Sequence, residues 1–117
     1  MTASNPVLRR ASVMLERAGK NQKAPIWSKA SEMLSSLTKN RIEVNLARIS
    51  KVSVEGQAVF VPGKVLGTGV IDKKLVVGAF AFSSSARSKI EAGGGSALSI
   101  EEFVKKYPKG SGVKLVR

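Results

Sequence analysis

The chain contains no cysteine and no histidine, and these two absences exclude most of the side-chain chemistry that enzymes use. Without histidine there is no imidazole base, and without cysteine there is neither a thiolate nucleophile nor a zinc–thiolate site. Asp72 is the single aspartate, so a metal site made of paired aspartates is also hard to form. The inventory therefore predicts no catalytic residue, no metal site and no cofactor.

Long hydrophobic runs are also missing. The longest, Leu75 to Phe82, has the size of a strand and falls far short of the roughly 20 residues that a membrane span needs. The first six residues lack the charged and apolar regions of a secretory signal. The lack of cysteine fits a reducing compartment. Together these absences predict a soluble cytoplasmic protein, with neither a membrane nor a small-molecule substrate as its partner.

Positive charge is what the chain has in excess. Twenty Lys and Arg oppose eight Asp and Glu, which gives a formal net charge of +12 over 117 residues. Most of the basic side chains therefore cannot find an acidic partner within the chain. Because each cation placed against a phosphate releases a counterion, this balance favours a polyanionic partner such as RNA.

The first part of the chain shows two helical patterns. Asn5 and Pro6 form a typical helix start, and Gly19 is expected to end that helix as a left-handed cap. A second helix should begin at Pro25 or Ile26, because the residue before a proline is pushed away from helical angles. Its apolar stripe consists of Ile26, Ala30, Met33, Leu34 and Leu37.

Short strands and helices alternate over the rest of the chain. The strands are expected around Val44, over Ala58 to Val61 with an end at Pro62-Gly63, at Lys64 to Leu66, over Leu75 to Phe82, at Ala97-Leu98, and over Val113 to Val116. Helices are expected after Asn45, after Ser83 or Ser84, and after the Ser99–Glu102 capping box. We expect Leu75 to Phe82 to be central and covered on both faces. The pattern predicts one compact α/β (α+β) domain over residues 1–117, with a short-stranded mixed sheet.

Several ordered segments carry a family resemblance. They read NPVLRRASVMLERAGKNQKAPIW, RIEVNLARI, VFVPGKVLGTGVIDKKLVVGAFAFSSSARSKIEAGG and SIEEFVKKYPKGSGVKLVR. In these segments the chain resembles the archaeal–eukaryotic large-subunit ribosomal protein family L-eighteen-e, a relative of bacterial L-fifteen. The resemblance implies the fold of that family, a place in the large ribosomal subunit beside neighbouring ribosomal proteins, binding to large-subunit ribosomal RNA and no catalysis. The compact length favours the archaeal form.

Candidate RNA contacts lie in the predicted loops and helix ends. Lys20 and Lys23 stand beside Trp27, whose ring either stacks on a base or packs between the helices. Arg41 and Arg48 either grip phosphate or pair with a carboxylate such as Glu43.

Further candidates follow in the second half of the chain. Lys64 lies in a glycine-rich region that is either a close approach to a sugar-phosphate backbone or a plain turn. Arg87 and Lys89 follow the serine-rich helix start, which offers free N–H groups to an anion, although the serines also serve as caps. Lys109 lies in a flexible basic loop, where the alternative is a solvated helix end.

Overall fold

The computed structural model describes residues 6–35 and 42–117, which form five helices and five strands. In chain order these are α1 (Pro6–Asn21), α2 (Pro25–Ser35), β1 (Glu43–Asn45), α3 (Leu46–Val52), β2 (Ala58–Leu66), β3 (Val76–Phe82), α4 (Ser84–Ala92), β4 (Ser96–Leu98), α5 (Ile100–Lys106) and β5 (Val113–Leu115). The predicted α/β class is confirmed. No helix among these residues is long and apolar enough to cross a bilayer.

The strands form one sheet in the order β1-β2-β3-β4, with β5 also paired to β2. All of these pairings are parallel, so the expectation of a mixed sheet is wrong. Parallel neighbours need crossover connections, and helices α3, α4 and α5 supply those that follow β1, β3 and β4. The segment 67–75 joins β2 to β3 without a helix.

Two strands, β5 and β1, pair with successive parts of the same edge of β2. Its first residues, from Ala58, pair with β5, and its last residues, from Lys64, pair with β1. The predicted strand end at Pro62-Gly63 is wrong, because β2 continues through these residues with a register shift. Proline is tolerated at such an irregularity because no ladder hydrogen bond is required of it there. A Cβ on Gly63 would lie 2.3 Å from the Ile42 carbonyl oxygen, so glycine allows β1 to approach.

Helices cover both faces of the sheet. On one face α3 and α4 enclose an aliphatic core that includes Ile49, Val77 and Ile90. On the other face α1, α2 and α5 enclose a second core that contains Trp27 and Phe103. Strand β3 lies between β2 and β4, which confirms its predicted central position. The result is a three-layer arrangement of helix, sheet and helix.

The predicted helix ends are mostly confirmed. Ser83 caps α4 through its hydroxyl, which accepts from the Ala86 amide at 3.2 Å, and Ser99 forms the reciprocal capping box with Glu102. Helix α3 begins after Asn45 as predicted, although the Asn45 side chain makes no capping hydrogen bond.

Gly19 has a different role from the predicted one, because α1 continues past it to Asn21. A Cβ at Gly19 would lie 2.2 Å from the Ser28 Oγ, so this glycine lets α1 and α2 pack closely. The left-handed residue of the connection is Lys23, with φ of 50°. Asn5 and Leu37, which the sequence assigned to a cap and an apolar stripe, lie outside the described residues.

Candidate nucleic-acid interface

Trp27 belongs to the core and is fully buried. Its ring makes edge contacts with Phe60 and Phe103 at centroid distances of 5.3 and 5.9 Å. Its Nε1 donates to the Pro108 carbonyl at 2.9 Å. The stacking interpretation of Trp27 is therefore wrong for this structure, because no ring face is left for a base.

The segments that carry Lys23 and Lys109 both adjoin Trp27. Lys23 is exposed in the link before α2, and Lys109 is exposed directly after the carbonyl that accepts the Trp27 bond. Lys20 is exposed at the end of α1, where its Nζ lies 3.6 Å from a Glu16 carboxylate oxygen. Such an exposed pair contributes little and leaves the ammonium open to a competing phosphate. Two basic segments, one before α2 and one after α5, thus meet at the start of α2.

Arg48 lies on the exposed side of α3, and its guanidinium reaches the end of the chain. The Nε donates to the main-chain oxygen of Arg117 at 2.9 Å. This contact orients the side chain and leaves its remaining N–H groups available, since a guanidinium has five donors. Among the described residues no Asp or Glu side chain pairs with Arg48, so the predicted pair with Glu43 is not formed.

Lys89 holds the loop after β2. Its Nζ donates to the carbonyls of Gly67 and Gly69, at 2.7 and 3.0 Å. The same loop is fixed from α3, because the Ala47 amide donates to the Thr68 carbonyl at 3.1 Å. Lys89 therefore positions the Gly67–Gly69 loop and still carries one ammonium hydrogen that can reach an external anion.

Arg87 covers the outer edge of β4. One of its terminal nitrogens lies 3.3 Å from the Ala97 carbonyl oxygen, and its guanidinium carbon lies 5.2 Å from the centroid of the Phe82 ring. The positive charge also reaches Glu102, where it adds to the Ser99 hydrogen bonds that lower the pKa of that carboxyl. Arg87 is thus exposed, but it is oriented by contacts within the protein.

Lys64 points outwards from β2 and is the exposed residue of an otherwise almost fully buried strand. Its register partner on β1 is Glu43, and its amide donates to the Ile42 carbonyl at 2.9 Å. Arg41, the remaining candidate, lies outside the described residues. Three exposed cations thus lie on three elements: Lys64 on β2, Arg48 on α3 and Lys89 on α4.

Comparison with known proteins shows the family to which this positively charged chain belongs. The sequence profile that describes the ribosomal proteins 50S-L15 and 50S-L18e, together with their 60S counterpart, matches residues 27–98. The chain belongs to this ribosomal protein family. The match runs from α2 to β4 and so includes the four strands of the main sheet order.

Curated relatives extend the similarity to nearly the whole chain. The large ribosomal subunit protein eL18 of Archaeoglobus fulgidus is 43% identical over 117 residues, covering 99% of each chain. That of Methanoregula boonei is 39% identical over 97% of this chain and 94% of its own. That of Pyrobaculum aerophilum is 38% identical over 97% and 93%. These relatives are named as ribosomal proteins, which agrees with the expectation that the chain is not an enzyme.

Sequence reasoning about this family member missed four basic residues as candidates. Arg9, Arg10 and Arg17 are exposed on α1. The helical pattern indicates only that they lie on the side away from the core. The presence of three arginines on one helix could nevertheless have marked them as candidate RNA contacts. Lys73 was missed because no local pattern marks it. Its Nζ donates to the carbonyls of Ser50 and Ser53, the latter at 2.7 Å, and so closes the end of α3.

The arrangement suits binding far better than catalysis. Three of the candidate cations, Arg48, Arg87 and Lys89, contact main-chain oxygens. In the described part of the chain no group of three or more acidic side chains could hold a metal ion. Carbonyl contacts fix the direction of a cation without removing its charge. A surface of this kind can neutralise phosphates in a fixed geometry.

Proposed function

We propose that the chain is a structural constituent of the large ribosomal subunit that binds and organises large-subunit ribosomal RNA. The observation that carries the proposal is the similarity to curated eL18 proteins over nearly the entire length. The physical basis is the net charge of +12, which requires external anions for compensation. In this proposal residues 1–117 act as a single domain.

The mechanism of the proposed function is electrostatic and geometric. Lys20, Lys23 and Lys109 bind phosphates at the start of α2, and Lys64, Arg48, Arg87 and Lys89 do so from β2, α3 and α4. Arg41 adds a further contact from the segment before β1. Since the cations on α3 and α4 are oriented by carbonyl oxygens, the RNA shape that they fit is set by the fold.

The proposed partners are ribosomal RNA and the neighbouring large-subunit proteins, and the proposed location is the ribosome in the cytoplasm. Sedimentation tests this directly. The tagged full chain should migrate with large subunits and stay there through a moderate salt wash. Recovery of the chain in light fractions would support the alternative, a free basic nucleic-acid-binding module such as a chromatin or messenger-RNA regulator.

Salt dependence tests the phosphate contacts. If about six phosphates are neutralised, the logarithm of the affinity for isolated large-subunit RNA should fall with the logarithm of salt at a slope of roughly −4 to −5. Filter binding at several salt concentrations measures this slope. A nearly flat response would contradict the electrostatic mechanism.

A further inference from the structure

Helix α1 carries a further strongly basic surface. Arg9, Val13 and Arg17 follow one another at intervals of four residues and so lie along one side of the helix. Together with Arg10 and Met14 they line a shallow groove. Arg9 and Arg17 are separated by roughly 12 Å along the helix axis, given about 1.5 Å per residue. We call these five residues the α1 arginine face.

The charge on this face is not compensated by α1 itself. The helix contains one acidic residue, Glu16, and that carboxylate faces Lys20 at 3.6 Å. Val13, in the middle of the face, is 38% exposed although it is a large apolar side chain. Three guanidinium groups around an exposed valine are typical of a surface that another molecule covers.

The positions of the arginines also cost the free protein some stability. Arg9 ends the first turn of α1 and Arg10 follows it; this turn has no acidic residue and is the positive end of the helix dipole. Cations are disfavoured there and carboxylates favoured. An arrangement that is unfavourable in the isolated chain, and also places like charges together, is consistent with an external anion that offsets the cost.

The α1 arginine face and the cations of α3 and α4 (Arg48, Arg87 and Lys89) lie on opposite sides of the sheet. Helix α1 packs into the core that contains Trp27, whereas α3 and α4 pack into the aliphatic core on the other face. One phosphate segment at Arg48 and Lys89 therefore cannot also follow the outer side of α1 without passing around the domain.

We infer that the α1 arginine face binds the phosphate backbone of a second RNA segment, so that the protein bridges two segments across its three layers. This inference rests on the proposed function and specifies its partner more closely. Guanidinium groups suit the backbone because they donate in pairs to phosphate oxygens. The rival occupant, an acidic segment of a neighbouring protein, gives a different result in the crosslinking experiment.

Photo-crosslinking in the ribosome distinguishes these occupants. The full chain is expressed with Val13→p-benzoylphenylalanine or, in a separate strain, with Val70→p-benzoylphenylalanine, and large subunits are purified and irradiated. Val70 is 73% exposed beside the loop that Lys89 holds, so it reports on the other side of the sheet. We expect both positions to crosslink to RNA, at sites in different segments.

The outcomes separate this inference from the proposed function. Absence of the unmodified chain from large subunits would overturn the proposed function. Its presence there with no crosslink from position 13, with a protein crosslink, or with both positions on one RNA segment would overturn the bridging inference alone.

Binding of isolated large-subunit RNA provides a second test. The triple variant Arg9→Gln, Arg10→Gln and Arg17→Gln should reduce the magnitude of the salt slope by about two to three units. The matched variant with Lys at the same three positions should keep the slope, because it keeps the charge. An unchanged slope in the glutamine variant would overturn the inference.

Reversing the charge of one arginine should change the melting temperature and the affinity for RNA in opposite directions. Arg10→Glu places a carboxylate near the positive end of α1, so the melting temperature of the free protein should rise by about 1 to 4 °C at low salt. The affinity for RNA should fall at least tenfold. A residue with a merely structural role would lower both quantities or neither, and that result would overturn the inference.

Discussion

Trp27 and Pro108 are joined by a hydrogen bond across 81 residues of sequence, from the indole Nε1 to the proline carbonyl at 2.9 Å. The bond fixes the loop after α5 against the start of α2. The ring that donates it also packs against Phe60 and Phe103. One buried side chain thus connects the core on the α1–α2 side with the position of the basic residue Lys109.

Trp27→Phe should destabilise the domain by about 1–3 kcal/mol, because part of the buried ring and the indole donor are both lost. Denaturant unfolding measures the change. Tyr107→Phe is the matched control, since the Tyr107 ring packs on Phe103 and its hydroxyl has no hydrogen-bond partner among the described residues. The control should change stability by less than about 0.5 kcal/mol. Equal effects in the two variants would show that the Pro108 contact contributes nothing.

Lys89→Met should loosen the Gly67–Gly69 loop, because two carbonyls lose their ammonium donor. The clearest readout is hydrogen exchange at the Ala47 amide, which donates to the Thr68 carbonyl in that loop. Exchange there should accelerate, with a stability loss of about 0.5–1 kcal/mol. Lys29→Met, an exposed lysine on α2, serves as the control and should leave this amide unchanged. If Ala47 exchanges at the same rate in both variants, Lys89 does not hold the loop.

Val77→Asp should unfold the domain, because Val77 is fully buried in the central strand and the new carboxylate would have no partner. Val70→Asp makes the same chemical change at a valine that is 73% exposed and should leave the melting temperature nearly unaltered. Thermal unfolding followed by circular dichroism compares them. A folded Val77 variant would contradict the assignment of β3 to the core.

Lys64→Ala should weaken RNA association while the melting temperature stays nearly constant, since this side chain points outwards from β2. The salt slope should lose slightly less than one unit if one phosphate contact disappears. Filter binding and thermal unfolding on the same preparation give both values. A large fall in melting temperature would instead assign Lys64 to the structure of the sheet edge.

Glu102 should make the folding stability depend on pH in the acidic range. The Ser99 backbone and side-chain hydrogen bonds, with a smaller effect of Arg87, lower the pKa of this carboxyl below its ordinary value. Because the folded pKa is the lower one, the contribution is complete above the unfolded pKa and is lost as pH falls through the folded pKa. Glu102→Gln should therefore flatten the acid limb of the stability curve, which thermal unfolding at several pH values measures. Identical acid limbs in the two proteins would exclude the capping box as the cause.

The sequence by itself determined the features that act over a few residues. Pro6 and Pro25 begin helices, Ser83 and the Ser99–Glu102 pair cap them, and β3 is recognisable as a buried strand. These signals work through neighbouring backbone groups or through a continuous apolar run. The excess of positive charge, and with it the need for an external anion, is equally a property of composition.

Only the tertiary structure decided what depends on residues far apart in the chain. Trp27 is fully buried because Phe60 and Phe103 enclose it, and Gly19 supports helix packing because Ser28 lies against it. Strand β2 continues through Pro62 because its partner changes from β5 to β1 at that point. The directions of Arg48, Arg87 and Lys89 were likewise set by distant main-chain oxygens, which no local pattern encodes.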